Sequence, residues 1–289
     1  MNSGSYVIIT PAKNEAAYIE KTIISMINQT IHPTKWIIVD DGSNDSTTDI
    51  VKKYLEDYRF IELLQTNRRV AIGFSSKVAA FNRAYERLRD TDYSFIGNID
   101  ADVSFEPEYF EKIIAHFDKN PKLGVSGGVI CELQGRDFKK LNYYTNSVAG
   151  AVQLFRKQCF EDIGGYIPIE KGGIDAVAEA MARMNNWQVR TYTDIEVFHH
   201  RRIGTVNENI LSAKFRYGVK ENLIGTHPIF LLTKCIKRYH EKPFMIGAMT
   251  MICGYVYSLI RGDDKAVSSS FVKYIRNEQL NRLKSIMKR

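Results

Sequence analysis

The chain has 289 residues, 44% of them hydrophobic and 25% charged, with seven prolines. That balance excludes a disordered chain, and without an internal repeat it leaves one large globular domain, alone or with an extension. The net charge of +7 is uneven, since residues 195–289 carry 17 Lys and Arg against 7 Asp and Glu while residues 1–194 carry 23 against 26; a neutral to acidic first part precedes a basic last part.

The opening MNSGSYVIIT lacks a basic region followed by a long apolar core, so it is read as a first strand rather than a signal peptide, with YVIIT at 6–10. From Tyr18 to Ile27 the residues Ile19, Ile23, Met26 and Ile27 share one helical face. WIIVD (36–40) returns as a strand, and the capping-rich DGSNDST leads into helical spacing from Asp49 to Tyr58. FIELLQT (60–66) is expected as a third strand, Ser76–Arg89 as a helix and YSFIGNID (93–100) as a fourth strand. Pro107 suits the first turn of a helix running through Phe117. Strand and helix thus alternate, which predicts an α/β domain with a mainly parallel sheet. Cys131, Cys159, Cys235 and Cys253 lie far apart with no CxxC spacing, which fits reduced thiols in the cytosol better than a zinc site or a disulfide framework.

In open α/β sheets ligands bind at the carboxyl ends of the strands. Three of those ends are polar here: TPAKNE (10–15), DDGS (40–43) and DAD (100–102). Two neighbouring carboxylates that both stay ionised call for a cation, and hard divalent ions take oxygen ligands. Asp100 and Asp102, two apart in an extended segment, point the same way and suit Mg²⁺ or Mn²⁺; a lone DxD is equally read as a capped turn. Asp40 and Asp41 are placed to bond a base or ribose, or else to build an Asx-turn and helix cap. No GxGxxG or GxxxxGK[ST] follows the first strand, which disfavours a Rossmann site and a P-loop.

The series PAKNE (11–15), VDDGS (39–43), Lys77 with Asn82, DAD (100–102), GGY (164–166) and GID (173–175) resembles the family 2 glycosyltransferases over about residues 5–205. The resemblance implies the GT-A fold: a mixed, mainly parallel sheet flanked by helices, with a nucleotide-sugar half (about 1–105), an acceptor half (about 106–205) and, in this chain, a basic helical extension over 206–289. It implies that Pro11, Ala12, Glu15, Asp40, Asp41, Lys77 and Asp100 bind the nucleotide sugar, that Asp102 ligates Mg²⁺ or Mn²⁺, and that Asp175 is the catalytic base. Ile174 stands where the family usually carries a second acidic residue. Glu179, one turn on, is the rival base and is otherwise read as a solvated helix residue, with Arg183 in the same helix. In VFHHRRIGT (197–205) a histidine completes the metal shell, and His200 is preferred to His199 because alternation would bury His199 with Val197; Arg201 and Arg202 either meet phosphate or solvate a loop.

The implied activity is transfer of a hexose-like sugar from a UDP- or GDP-type nucleoside-diphosphate donor to a saccharide or lipid-linked acceptor hydroxyl, with inversion, in bacterial surface-polysaccharide or glycolipid synthesis. Nucleic acid is not an expected partner. From Pro243 to Ile260 no charge occurs, between Lys242 and Arg261. A buried helix or one lying in an anionic membrane interface is preferred to a true span, which places the protein in the cytoplasm or on the inner face of the cell membrane. The rival functions are a sugar nucleotidyltransferase, disfavoured because TPAKNEAAY has no glycine, and a non-enzymatic lipid- or nucleic-acid-binding module, which needs neither DAD nor GID.

Overall fold

Alternating residues along the first strands serve two different cores, which fixes the architecture. In β1 (Tyr6–Ala12) and β2 (Lys35–Asp40), Tyr6, Ile8, Ala12, Trp36 and Ile38 face one apolar cluster, and Val7, Ile9, Ile37 and Val39 face the other. A sheet buried on both faces reads as a continuous apolar run and needs helices on each side. The protein, described here from a computed structural model over residues 4–66, 74–135, 137–141, 144–201, 209–239 and 243–287, supplies them. α1 (Ile19–Ile27), α2 (Thr47–Lys52) and α4 (Tyr109–Lys119) cover the first face, and α3 (Phe74–Glu86), α5 (Lys157–Asp162) and α6 (Ile174–Met184) cover the second.

Among the described residues the sheet runs β3-β2-β1-β4-β8-β6-β9-β5, with β7 (Asp137–Lys140) paired to β6 (Leu123–Gln134). β3 (Ile61–Gln65), β2, β1 and β4 (Phe95–Ile99) are parallel, so their carboxyl ends lie along one edge. β8 (Val152–Arg156) runs antiparallel to β4 and β6, and β9 (Gln188–His199) runs parallel to β6. The expected α/β class and mixed sheet are observed.

Two local differences from the sequence reading have clear causes. The helix expected over Asp49–Tyr58 stops at Lys52, because Lys53, Tyr54 and Leu55 bond three residues back rather than four. The chain winds tighter there, while Tyr54, Leu55 and Tyr58 still pack on the core. The second difference is β5 (Val103–Phe105), a three-residue strand directly after the DAD that pairs antiparallel with β9; it is too short for alternation to reveal.

The chain divides into two compact units, one of Met1–Pro168 with Ile174–Gly204 and one of Ile169–Gly173 with Thr205–Arg289. In the second, α7 (Ile210–Leu223) and α9 (Ile246–Ile260) pack backbone to backbone at two glycines. A Cβ on Gly218 would stand 2.0 Å from the Met251 carbonyl oxygen, and one on Gly254 would stand 2.1 Å from that of Phe215. α8 (Pro228–Lys237) adds Leu231 and Cys235 to a small core with Met251 and Tyr255, and α10 (Ser269–Met287) completes the unit. No helix among the described residues is long and apolar enough to cross a membrane.

Glu221 of α7 is 1% exposed and accepts from Thr226 Oγ1 (2.6 Å) and Lys234 Nζ (2.9 Å). Burial raises its pKa, but Lys234 and Lys220 outweigh burial and bring it down to about 2. In the unfolded chain the group protonates near 4.5, so its stabilisation is complete above that pH and is lost as the pH falls toward 2. We expect Glu221→Gln to lower stability at pH 7 by about 3 kcal/mol and to flatten its acid dependence between pH 4.5 and 2, as followed by helical circular dichroism.

Candidate active site

The loop after β1 is laced to the turn after β2. The Asn14 backbone N–H donates to Ser43 Oγ (2.9 Å), the Glu15 N–H to Thr47 Oγ1 (2.8 Å) and the Asn44 N–H to Asn14 Oδ1 (2.8 Å). Asn14 sits at φ 54°, a left-handed conformation that Asn tolerates better than most residues. These bonds hold PAKNE and DDGS as one rim, with Pro11 and Ala12 beside Val39 and Asp40 in the ladder.

The two aspartates of that rim do different things. Asp40, buried, accepts from the Ser43 N–H (2.9 Å) and Thr48 Oγ1 (2.7 Å), so both of its oxygens build the turn. The Asx-turn and cap read as an alternative for Asp41–Ser43 is thus built by Asp40 instead. Asp41 is instead held from the side by Thr66 Oγ1 (3.0 Å) and by Ser76 Oγ at the start of α3. A carboxylate fixed by two hydroxyls keeps lone pairs for a donor on a ligand.

At the end of β4 the two DAD carboxylates have separate cations. Asp100 pairs with Lys77 Nζ and also accepts from Asn98 Nδ2 (3.3 Å). Asp102, 8% exposed, faces His199 (Nε2 to Oδ1, 3.4 Å) and Arg201 (Nε to Oδ2, 3.4 Å). Arg201 also pairs with Glu15 and lies over the Tyr18 ring at 5.2 Å. Repulsion between the aspartates is thus relieved in part within the protein. Burial works against ionisation of Asp102, yet His199 and then Arg201 and Lys77 hold its pKa below the ordinary range. The pair raises the His199 pKa against burial, and burial pushes Glu15 up to about 7 despite Arg201.

The structure places the two neighbouring histidines differently about Asp102. His199, not His200, is the residue that faces the Asp102 carboxylate, because Asp102 lies in the turn before β5 and is not bound by that strand's alternation. His200 turns to Ser104 Oγ (Nε2 to Oγ, 2.8 Å) and packs edge-on against Phe138. Sharing the buried side with Val197 was the reason for setting His199 aside, but Asp102 is itself buried there. Arg202 lies outside the described residues.

Asp175 stands in the first turn of α6, where a helix dipole favours a carboxylate. Its side chain lies against Gly150, and a Cβ on Gly150 would come within 2.9 Å of Asp175 Oδ2. Glu179, expected in solvent, is 3% exposed and accepts from the Val148 N–H (2.6 Å) and Gln153 Nε2 (3.1 Å). Burial raises its pKa to about 7. The helix turns this face inward because Val177, Ala178, Ala180 and Ala182 are buried around it.

Among the described residues no three His, Cys, Asp or Glu side chains gather as a metal cage. Asp102 and His199 would be the two protein ligands at the strand ends. That fits an ion bound mainly by substrate phosphates and water, since Mg²⁺ sites on phosphate substrates use one or two carboxylates. The sequence signal for His199 was in VFHH, whereas nothing marked Ser76, Thr66 or Arg201 as partners of particular acidic residues.

The family model described as "Glycosyl transferase family 2" matches residues 7–173. Poly-beta-1,6-N-acetyl-D-glucosamine synthase of Staphylococcus epidermidis is 25% identical over 172 residues, covering 52% of this chain and 39% of the relative, and that of Staphylococcus aureus strain COL is 25% identical over 171 residues with the same coverage. This chain therefore matches well under half the length of these relatives. The fold is similar to that of S. aureus TarS 1–349 in complex with UDP-GlcNAc, at TM-score 0.57 and 18% identity over 89% of this chain and 74% of that one. It is also similar to the mannosyltransferase PcManGT from Pyrobaculum calidifontis in complex with GDP-Man and Mn²⁺, at TM-score 0.59 and 16% identity over 98% and 86%.

Proposed function

Because the chain belongs to glycosyl transferase family 2, as the motifs implied, we propose that it moves a sugar from a nucleoside-diphosphate donor to an acceptor hydroxyl with inversion, in the synthesis of a bacterial surface polysaccharide. Family membership sets aside the nucleotidyltransferase and the pure binding module. The observation that carries the reading is the single run of strand ends holding Asp41, Asp100 and Asp102 on one side of the sheet order and Asp175 beside Gly150.

In this reading residues 1–105 bind the donor and 106–205 the acceptor. Pro11, Ala12 and Glu15 line the nucleoside pocket, Asp41 meets the base, and Asp40 supports it by holding the turn. Lys77 orders Asp100 toward the ribose or diphosphate. Asp102 and His199 hold Mg²⁺ or Mn²⁺, which when bound neutralises charge on the departing diphosphate. Arg201, tied to Glu15 and Asp102, adds a fixed positive charge at the same place. Asp175 takes the acceptor hydroxyl proton as its oxygen attacks the anomeric carbon and the bond to the diphosphate breaks. UDP-GlcNAc is the first donor to test, and N-acetylglucosamine oligomers the first acceptors, from the relatives' names. Calorimetry with UDP-GlcNAc and GDP-mannose, with and without Mn²⁺, is expected to show one metal-dependent donor; no binding of either would overturn the donor assignment.

The extension over 206–289 carries the proposal that the enzyme works on the inner face of an anionic membrane. Along α9 the outward residues Ile246, Met249, Cys253, Val256, Tyr257 and Ile260 form one uncharged stripe, with Ile260 81% exposed. α8 exposes a second, Ile229, Leu232 and Ile236, with Tyr239 just beyond its end. A helix that is apolar on every side calls for a cover, and the basic Lys237 and Arg261 at the stripe ends suit anionic headgroups. Sedimentation with phosphatidylglycerol vesicles is expected to carry the wild type down, and Met249→Ser with Ile260→Ser to leave it in the supernatant.

A further inference from the structure

Asn98 is a polar residue near the carboxyl end of the central strand β4, 3% exposed between Gly97 and Ile99. Directly opposite it in β8 stands Gln153, fully buried. Two amides facing each other inside an otherwise apolar sheet are costly unless their bonds are all made. Each has one partner on a short stretch of backbone, Val148–Ala151, which precedes β8. Asn98 Nδ2 donates to the Gly150 carbonyl at 2.6 Å and to Asp100 Oδ1 at 3.3 Å. Gln153 Nε2 donates to the Val148 carbonyl at 3.3 Å and to Glu179 Oε1 at 3.1 Å, and Gln153 Oε1 accepts from Tyr166 OH at 2.8 Å.

The same stretch touches both halves of the proposed chemistry. The Asp100 N–H donates to the Ala151 carbonyl (2.9 Å), and Gly150 lies against the Asp175 carboxylate. Glu179 grips its other end through the Val148 N–H. We infer that Asn98 and Gln153 are positioning residues that clamp the strap Val148–Ala151, and that the strap sets the placement of Asp175 relative to Asp100. The inference rests on the reading of Asp175 as the base. It explains why both amides are buried where an apolar pair would pack as well, and why residue 150 has no side chain. Neither amide is expected to touch substrate.

Misplacing a catalytic group by about 1 Å costs on the order of a hundredfold. The test uses the full chain and follows nucleotide release from UDP-GlcNAc or GDP-mannose, whichever calorimetry shows to bind, in Mn²⁺. Asn98→Leu and Gln153→Met are each expected to lower kcat by about ten- to a hundredfold, with donor KM changed less than about threefold and the melting temperature read on the same samples. Residues acting through one strap are non-additive, so the double variant is expected to be no slower than about threefold below the slower single variant. Should Asn98→Leu not fold, Asn98→Ser carries the same expectation, since its hydroxyl is too short to span to Gly150. Wild-type kcat in either folded variant, or losses that multiply in the double, would overturn the clamp. Asp175→Asn run alongside separates the two ideas: normal turnover there removes the base assignment, whereas its loss together with unaffected clamp variants removes only the clamp.

Discussion

Asp175→Asn is expected to bind the donor with wild-type affinity and to lose transfer by about 10²- to 10⁴-fold, the range over which a positioned general base contributes. The substitution keeps the volume of the side chain and its place in the first turn of α6, so a folding defect is not expected. What changes is the capacity to take a proton. Glu179 is the natural competitor, four residues on and with a pKa raised to about 7, a value suited to a base at neutral pH. Geometry decides between them. Glu179 is enclosed, with one oxygen spent on the Val148 N–H and Gln153 and the other 3.8 Å from Arg183 Nη1. An acceptor hydroxyl would have to displace the strap to reach it. The Asp175 carboxylate lies beside Gly150, where no side chain intervenes, and its backbone carbonyl is 3.5 Å from Gln153 Nε2. Glu179→Gln retains an oxygen for both donors and is expected to reduce turnover by less than about tenfold, well short of the loss of a base. The reverse ranking, with Glu179→Gln inactive and Asp175→Asn near normal, would transfer the role.

How far the sequence carries depends on the range of the interactions involved. The parallel half was legible because each strand and helix is a local pattern, and Ile8 against Ile9 already states which core each residue serves. The strand-end aspartates were legible for the same reason. Their partners were not. Arg201 reaches Glu15 across 186 positions, and nothing local to either residue marks the pair. The two histidines posed a related problem: alternation puts them on opposite faces, but His199 meets the Asp102 carboxylate through the turn before β5, which no periodicity describes. Glu179 shows the limit for helices, since its inward face is set by packing over the Val148 loop and not by its own charge. Asn98 and Gln153 carry a signal that could have been used, a buried amide inside an apolar strand, and it pointed to no partner until the fold placed them opposite each other.

Asp102→Asn is expected to abolish Mn²⁺-dependent donor binding, while Asp100→Asn weakens donor binding and leaves its metal dependence in place. The two aspartates differ in their protein partners. Asp100 is bound by a lysine and by the clamp amide, so its charge is already matched and its role is to orient. Asp102 has its pKa held down by His199 and Arg201 despite burial, which keeps a buried carboxylate ionised. Replacing it by Asn would leave His199 as the remaining protein ligand beside the substrate phosphates, and a hard divalent ion prefers carboxylate oxygen to imidazole. His199→Ala is expected to be milder, raising the Mn²⁺ concentration needed for half-maximal donor binding by about tenfold, in line with losing one of several ligands. His200→Ala is the contrasting variant: its imidazole is engaged with Ser104 and Phe138, so the Mn²⁺ requirement is expected to stay unchanged. Calorimetric titration of donor at a series of Mn²⁺ concentrations reads all four variants in one format. A shift for His200→Ala without one for His199→Ala would mean that the ion sits on the outer side of β9, and with it that Asp102 is a structural anchor for Arg201.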